Sequence, residues 1–195
     1  CSLTMVWLVT RLVKSAWATF WCTAGGTVGS PAPPHSRVLA LGFQPMSTVL
    51  SALSAVRSQV LSLQTMLGCL RGDGICPDRR RRALELEDRE LLAPVIFRAT
   101  ANEMQLRFWE GDLTGGLELY EQLWRSAAGR GAESELLFLA VQGTLGSSWK
   151  GDLARATAIA RDATERADQL GGDNSELIAA VARAGPAALT GRIDH

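Results

Sequence analysis

Serines, carboxylates and two histidines supply the parts of a hydrolase triad, in which an imidazole takes the serine proton while an acid orients the ring. His35 lies in a Pro-rich stretch and His195 at the terminus, however, so no such triad is expected. "GTLGSSWKGD" (143–152) contains glycines and a lysine but lacks the G-x-x-x-x-G-K-[ST] spacing that cradles phosphates. It also falls between two predicted helices rather than after a strand. Cys1, Cys22, Cys69 and Cys76 match no zinc spacing, and the histidines are far from any cysteine pair. Buried thiols in a reducing compartment are the expectation, since a Cys69–Cys76 disulfide would require export. "DRRRR" (78–82) could contact phosphates or an acidic partner, and four guanidinium groups at a helix start oppose its dipole. Glu85, Glu87, Asp88 and Glu90 follow closely enough to neutralise the run. A self-paired, solvated segment is therefore expected. Glu118 and Glu121 read as ordinary helix surface.

The bulk of the chain points the same way. Net charge is zero over 195 residues, which argues against general affinity for nucleic acid. Apolar residues make up 47 %, enough for a globular core. Tyr120 is the single tyrosine, a low supply for aromatic hot spots. "CSLTMVWLVTRLVKSAWATFWC" is apolar, but Arg11 and Lys14 interrupt it. Two central cations would cost a bilayer span several kcal/mol, so a buried helix is expected there and no membrane association. The start at Cys1 suggests a processed, truncated or excerpted chain, and a Cys-Ser start is also that of a mature lipoprotein.

The elements that must position any site are helices. Leu3, Leu8, Leu12, Trp17 and Trp21 fit one broad helix face. "CTAGGTVGSPAPPHS" (22–36) reads as a loop, and "RVLALGF" (37–43) fits strand or helix. Ser47 and Thr48 are N-cap candidates for a helix near 48–67 with the stripe Val49, Leu53, Val56, Val60, Leu63 and Leu67. Pro94 suits the first turn of the next helix, whose stripe is Phe97, Ala101, Met104 and Phe108. A helix from Asp112 to about Ala128 follows, with Leu113, Leu117, Tyr120 and Trp124 on its face. Another runs from near Ser134 to near Ser148. "SSWKGDLARATAIARDATERADQLGGD" (147–173) predicts a fourth from Pro94 onward, with an Ala-rich packing stripe from Leu153 to Leu170, stopped by Gly171-Gly172. Asn174 or Ser175 would cap a last helix, which Gly185-Pro186 should kink or shorten.

A period joins these helices. Trp109 matches Trp149, and Gly111-Asp112-Leu113 matches Gly151-Asp152-Leu153, forty residues on. Gly191-Arg192-Ile193 repeats the joint after another forty, while "SELLFLAV" (134–141) and "SELIAAVA" (175–182) align at forty-one. Glycine permits a left-handed turn, and the aspartate can cap the next helix. Two helices per period near 40 fit a helical solenoid.

An aromatic, then Gly-Asp-Leu, then an Ala-punctuated helix resembles the tetratricopeptide (TPR) repeat. Gly151, Asp152, Leu153, Ala156 and Ala163 fall on that pattern, whereas Gly116 stands where the repeat usually has Ala. The usual TPR period is shorter, about 34 residues. The texture of "LELEDRELLAPVIFRATANEMQLRFWEGDL" is similar to the helical sensor region of bacterial LuxR-type ATP-binding transcriptional regulators. The resemblance covers residues 48–195. It implies an all-α, TPR-like helical-hairpin solenoid with a right-handed superhelix over 47–195, preceded by an irregular part over 1–46. Its repeats would be 94–130, 134–172 and an incomplete 175–195.

In such arrays the first helix of each pair lines a concave groove. Counting back from the joints, the resemblance places Arg98, Ala101, Gln105 and Trp109 in that groove, followed by Phe138, Val141, Leu145 and Trp149, with the two indoles stacked along it. It implies a non-catalytic, cytoplasmic scaffold that binds a protein, a peptide or other domains of its parent. No direct nucleic-acid contact is implied, and ATP would bind only a separate upstream domain. The alternatives are a free-standing TPR-like adaptor and a small exported or lipid-anchored helical protein.

Overall fold

The computed structural model describes residues 46–88 and 93–191, with side chains from Ser51 onward. The expectations for residues 1–45 and for Arg192-Ile193 lie outside them. All regular structure among the described residues is helical: α1 (Met46–Arg71), α2 (Pro77–Glu85), a 3-10 turn (Val95–Phe97), α3 (Ala99–Glu110), α4 (Leu113–Gly129), α5 (Glu133–Lys150), α6 (Leu153–Leu170) and α7 (Asp173–Leu189). Ser47–His195 belongs to one compact unit. No described helix is long and apolar enough to cross a membrane.

Two joints set the order of α3 to α6. α3 ends at Gly111 and α5 at Gly151, both left-handed with φ of 90° and 86°. In each, the aspartate N–H returns to a carbonyl of the preceding helix, from Asp112 to Arg107 and from Asp152 to Ser147, both at 2.9 Å. The aspartate side chains then accept the N–H of Gly115 at 2.9 Å and of Arg155 at 3.0 Å. Both caps are as the sequence predicts: the positive φ falls on glycine, which lacks the Cβ that would clash. Joints this short make neighbouring helices antiparallel.

The core forms in two blocks. Ala101, Met104 and Phe108 of α3 meet Leu117, Tyr120, Leu123 and Ala127 of α4 and Leu136 and Leu139 of α5. Beyond it, Leu137 and Ala140 of α5 pack with Ala163 and Ala167 of α6 and Ala179 and Ala182 of α7. The predicted Ala stripe of α6 is buried at Ala156, Ala160, Ala163 and Ala167, while Leu170 at its end is exposed. Small side chains there let α5 and α7 approach closely.

Three expectations are corrected. In α1 the buried face is Ala55, Ser58, Ser62, Thr65 and Met66, and four residues of the predicted stripe are exposed, Leu53 at 61 % with Val56, Val60 and Leu67, while Leu63 is half-buried and the side chain of Val49 lies outside the described ones. Hydrogen bonds explain the choice: Ser58 Oγ donates to the Ala83 carbonyl at 2.6 Å, and Asn102 Nδ2 donates to Ser62 Oγ at 2.7 Å. The helix after Pro94 starts only at Ala99, because Pro94 opens the 3-10 turn and Arg98 is extended. Phe97 therefore belongs to the turn. Last, Gly172 rather than Asn174 or Ser175 caps α7, which continues past Pro186 to Leu189. Proline lacks an N–H, yet its carbonyl is still used, accepting from Thr190 N at 3.0 Å and Thr190 Oγ1 at 2.8 Å.

Candidate partner-binding face

α3 with its N-cap Arg98, and α5, carry the predicted groove residues, and the structure separates them by burial. Ala101, Gln105 and Leu145 are buried and so present nothing to a partner on this face. Arg98 is half-buried at the start of α3, where its Nε donates to the Ala93 carbonyl at 2.8 Å. Phe138 and Trp149 are half-buried against the first core block and Val141 against the second. Trp109 is half-buried at the end of α3. The ring partner of Trp149 is Phe108, edge-on at 6.4 Å and 85°, rather than Trp109. The half-buried members, Trp109, Phe138, Val141 and Trp149, offer apolar surface, and Trp149 is also structural.

Gln105 is 1 % exposed, and neither its Oε1 nor its Nε2 has a hydrogen-bond partner. Gln142 on α5 is in the same position. A buried amide left unpaired costs about 1–3 kcal/mol. Gln105→Met keeps the volume and removes the polar atoms, so urea unfolding should show a gain of about 1 kcal/mol. A loss of that size would mean that the amide is bonded in solution.

A buried ion cluster beside α3 was not legible in the sequence. Glu103 is 5 % exposed. Arg80 of α2 grips its carboxylate with both nitrogens of a fork, Nε at 2.5 Å and Nη2 at 2.8 Å. Arg107 Nε adds a third bond at 2.8 Å. Arg80 Nη1 also reaches Glu110 at 2.8 Å, and Arg107 Nη1 reaches Asp112 at 3.2 Å. Burial opposes ionisation of Glu103, but the hydrogen bonds from Arg80 and Arg107 outweigh it and hold the carboxyl below its usual value. The bond to Glu103 likewise raises Arg80. The expected self-pairing of the Arg run holds for Arg81, bound to Asp78, and Arg82, bound to Glu85, whereas Arg80 leaves the segment to pair with α3, and Glu87 and Asp88 accept from Thr100 and Ser51 instead. The one signal in the sequence was the four-residue spacing of Glu103 and Arg107.

On α6, Arg166 bonds Asp162 at 2.8 Å and Glu133 of α5, and lies over the Trp124 ring at 5.4 Å. Arg155 pairs with Glu121 above the Tyr120 ring. Burial pushes the Tyr120 hydroxyl well above its ordinary value. Cys69 and Cys76 are thiols rather than a disulfide, but Cys69 is half-buried and Cys76 exposed, so neither is the buried thiol expected from the sequence. No group of three or more His, Cys, Asp or Glu among the described residues is placed to hold a metal ion. Two clefts between α1 and α3, of ≈ 10 Å³ each, have room for about one water apiece.

Comparisons with family models, with curated proteins and with solved structures give no match to this chain. The candidate face therefore rests on its own geometry.

Proposed function

We propose that α3 to α7 form a TPR-like helical-hairpin solenoid and that the chain is a non-catalytic scaffold for protein–protein interaction or signal sensing. Its proposed setting is the helical array of a cytoplasmic LuxR-type ATP-dependent regulator, with ATP and DNA handled by other domains. The observation that carries the reading is the joint geometry, the same left-handed glycine and capping aspartate at 111–112 and 151–152. On this reading the two like joints give α3 and α5 the same role in successive hairpins, and their half-buried aromatic residues would line a face suited to an extended peptide or a helix. Apolar anchors of this kind dominate the binding energy of an interface.

Trp109→Ala is the cleaner test, because Trp149 also supports Phe108. Capture of the partner by the full chain should fall at least about tenfold, a loss of about 1.4 kcal/mol, with helical circular dichroism unchanged. Undiminished capture by Trp109→Ala and by Phe138→Ala would overturn the assignment of this face.

A further inference from the structure

α3 is buried on two sides of different chemistry. One side, with Ala101, Met104 and Phe108, belongs to the first core block. The other, with Ala99, Asn102, Glu103 and Leu106, faces α1 and α2 and belongs to neither block. α1 and α2 add no residue to either block, although Ala55, Met66 and Ala83 are buried. The two helices therefore meet α3 across a seam of their own.

Polar bonds hold that seam. Arg80 of α2 reaches Glu103 and Glu110 of α3, and Asn102 of α3 reaches Ser62 of α1. Just before α3, Glu87 accepts from Thr100 N at 2.9 Å and from Thr100 Oγ1, and Asp88 accepts from Ser51 Oγ at 2.6 Å. The bond from Ser58 to the Ala83 carbonyl ties α1 to α2, so these two helices are joined to each other as well as to α3. Both water-sized clefts lie in this same seam. One is lined by Ser58, Glu87 and Asp88, the other by Ser62, Thr65, Arg80 and Glu103. Opening the seam exchanges polar contacts for water, which is nearly balanced, whereas parting α4 from α5 would break an apolar block. Glu103 also keeps a charge partner when Arg80 leaves, because Arg107 is on the same helix and holds it at 2.8 Å.

We propose that α1 and α2 form a strap that opens from α3 as one unit while α3 to α7 stay folded, with Arg80 as its latch. Segments with few buried apolar contacts open first, in cooperative blocks smaller than the whole fold. The open state uncovers Ala99, Asn102, Glu103 and Leu106 together with the serine face of α1. This motion is independent of the partner-binding reading.

Native-state hydrogen exchange of the full chain at neutral pH in increasing, sub-denaturing urea reads it directly. The amides of α1 and α2 should exchange as one group, with protection at least about tenfold below the slowest amides of α5 and α6. Their urea dependence should also be weaker, since less surface is exposed on opening than on unfolding. Arg80→Gln removes the latch and should lower α1 and α2 protection about tenfold. Ala163→Gly weakens the second core block and should lower the slowest amides of α5 and α6 about fivefold. It should leave α1 and α2 unchanged, because the strap opens without disturbing that block. Equal protection and urea dependence across all helices would overturn the proposal, as would an Ala163→Gly loss shared by α1 and α2. Separate exchange of α1 from α2 would refute the single strap, and α1 and α2 protection unmoved by Arg80→Gln would refute the latch.

Discussion

Glu103→Gln is expected to lower the unfolding free energy by about 2–3 kcal/mol at neutral pH. Removing one partner of a buried ion pair typically costs about 3–5 kcal/mol, because the surviving charge is left unpaired. Here the surviving charges are Arg80 and Arg107, whose side chains are 21 % and 36 % exposed, and each keeps a second acid in Glu110 or Asp112. That places the loss at or below the lower end of the range. The pH dependence identifies the cause. The Glu103 carboxyl lies below its ordinary value when folded, since the bonds from Arg80 and Arg107 outweigh its burial. Its contribution is thus fully present above the unfolded value, about 4.3, and disappears as pH falls through the folded one. The stability gap between parent and variant should be complete at pH 7 and close as pH falls below about 4. Urea unfolding at neutral and acid pH tests this, with the exposed Arg81→Gln as a control expected to cost less than about 0.5 kcal/mol. A gap that persists in acid would assign the loss to packing rather than charge.

Local signals carried the parts of this fold that depend on backbone chemistry. Gly111-Asp112 and Gly151-Asp152 were readable because a left-handed residue followed by a capping carboxylate has few alternatives in sequence. The Ala face of α6 was readable because its other faces are charged, as with the Arg161–Glu165 and Asp162–Arg166 pairs. α1 misled because it has two periodic faces. Apolarity ranks Leu53 and Val60 above Ser58 and Ser62, yet the serines are the ones that bond across to Ala83 and Asn102. Partners so distant in sequence leave no local trace. The same holds for Arg80, which cannot be told from its three arginine neighbours until Glu103 faces it. The groove residues failed in part for a related reason. Counting from the joint fixes a helix face, but how deeply Gln105 and Leu145 are buried depends on what packs over that face.

Gly146→Ala should destabilise the protein by about 1–3 kcal/mol, although alanine in a helix interior is ordinarily favoured over glycine by about 1 kcal/mol. A Cβ at Gly146 would lie 2.5 Å from Cζ of Phe108, and one at Gly116 would lie 2.4 Å from its Cδ1. The ring is held between α4 and α5 by the absence of two side chains, with Trp149 against its edge. This accounts for Gly116 at the position where the TPR pattern prefers alanine. The second joint shows the compensating choice. Forty residues on from Phe108 and Gly116 stand Ser148 and Ala156, a small residue where the ring was and a Cβ where there was none. Phe108→Ala should accordingly cost about 3–5 kcal/mol, since it empties a gap that two glycines cannot fill. The decisive measurement is the double-mutant cycle by urea unfolding. Phe108→Leu shortens the ring toward Gly146, so Phe108→Leu with Gly146→Ala should be more stable than the sum of the single losses predicts, by about 1 kcal/mol or more. Additive losses would show that the ring yields elsewhere and that Gly146 is not what holds α3 against α5.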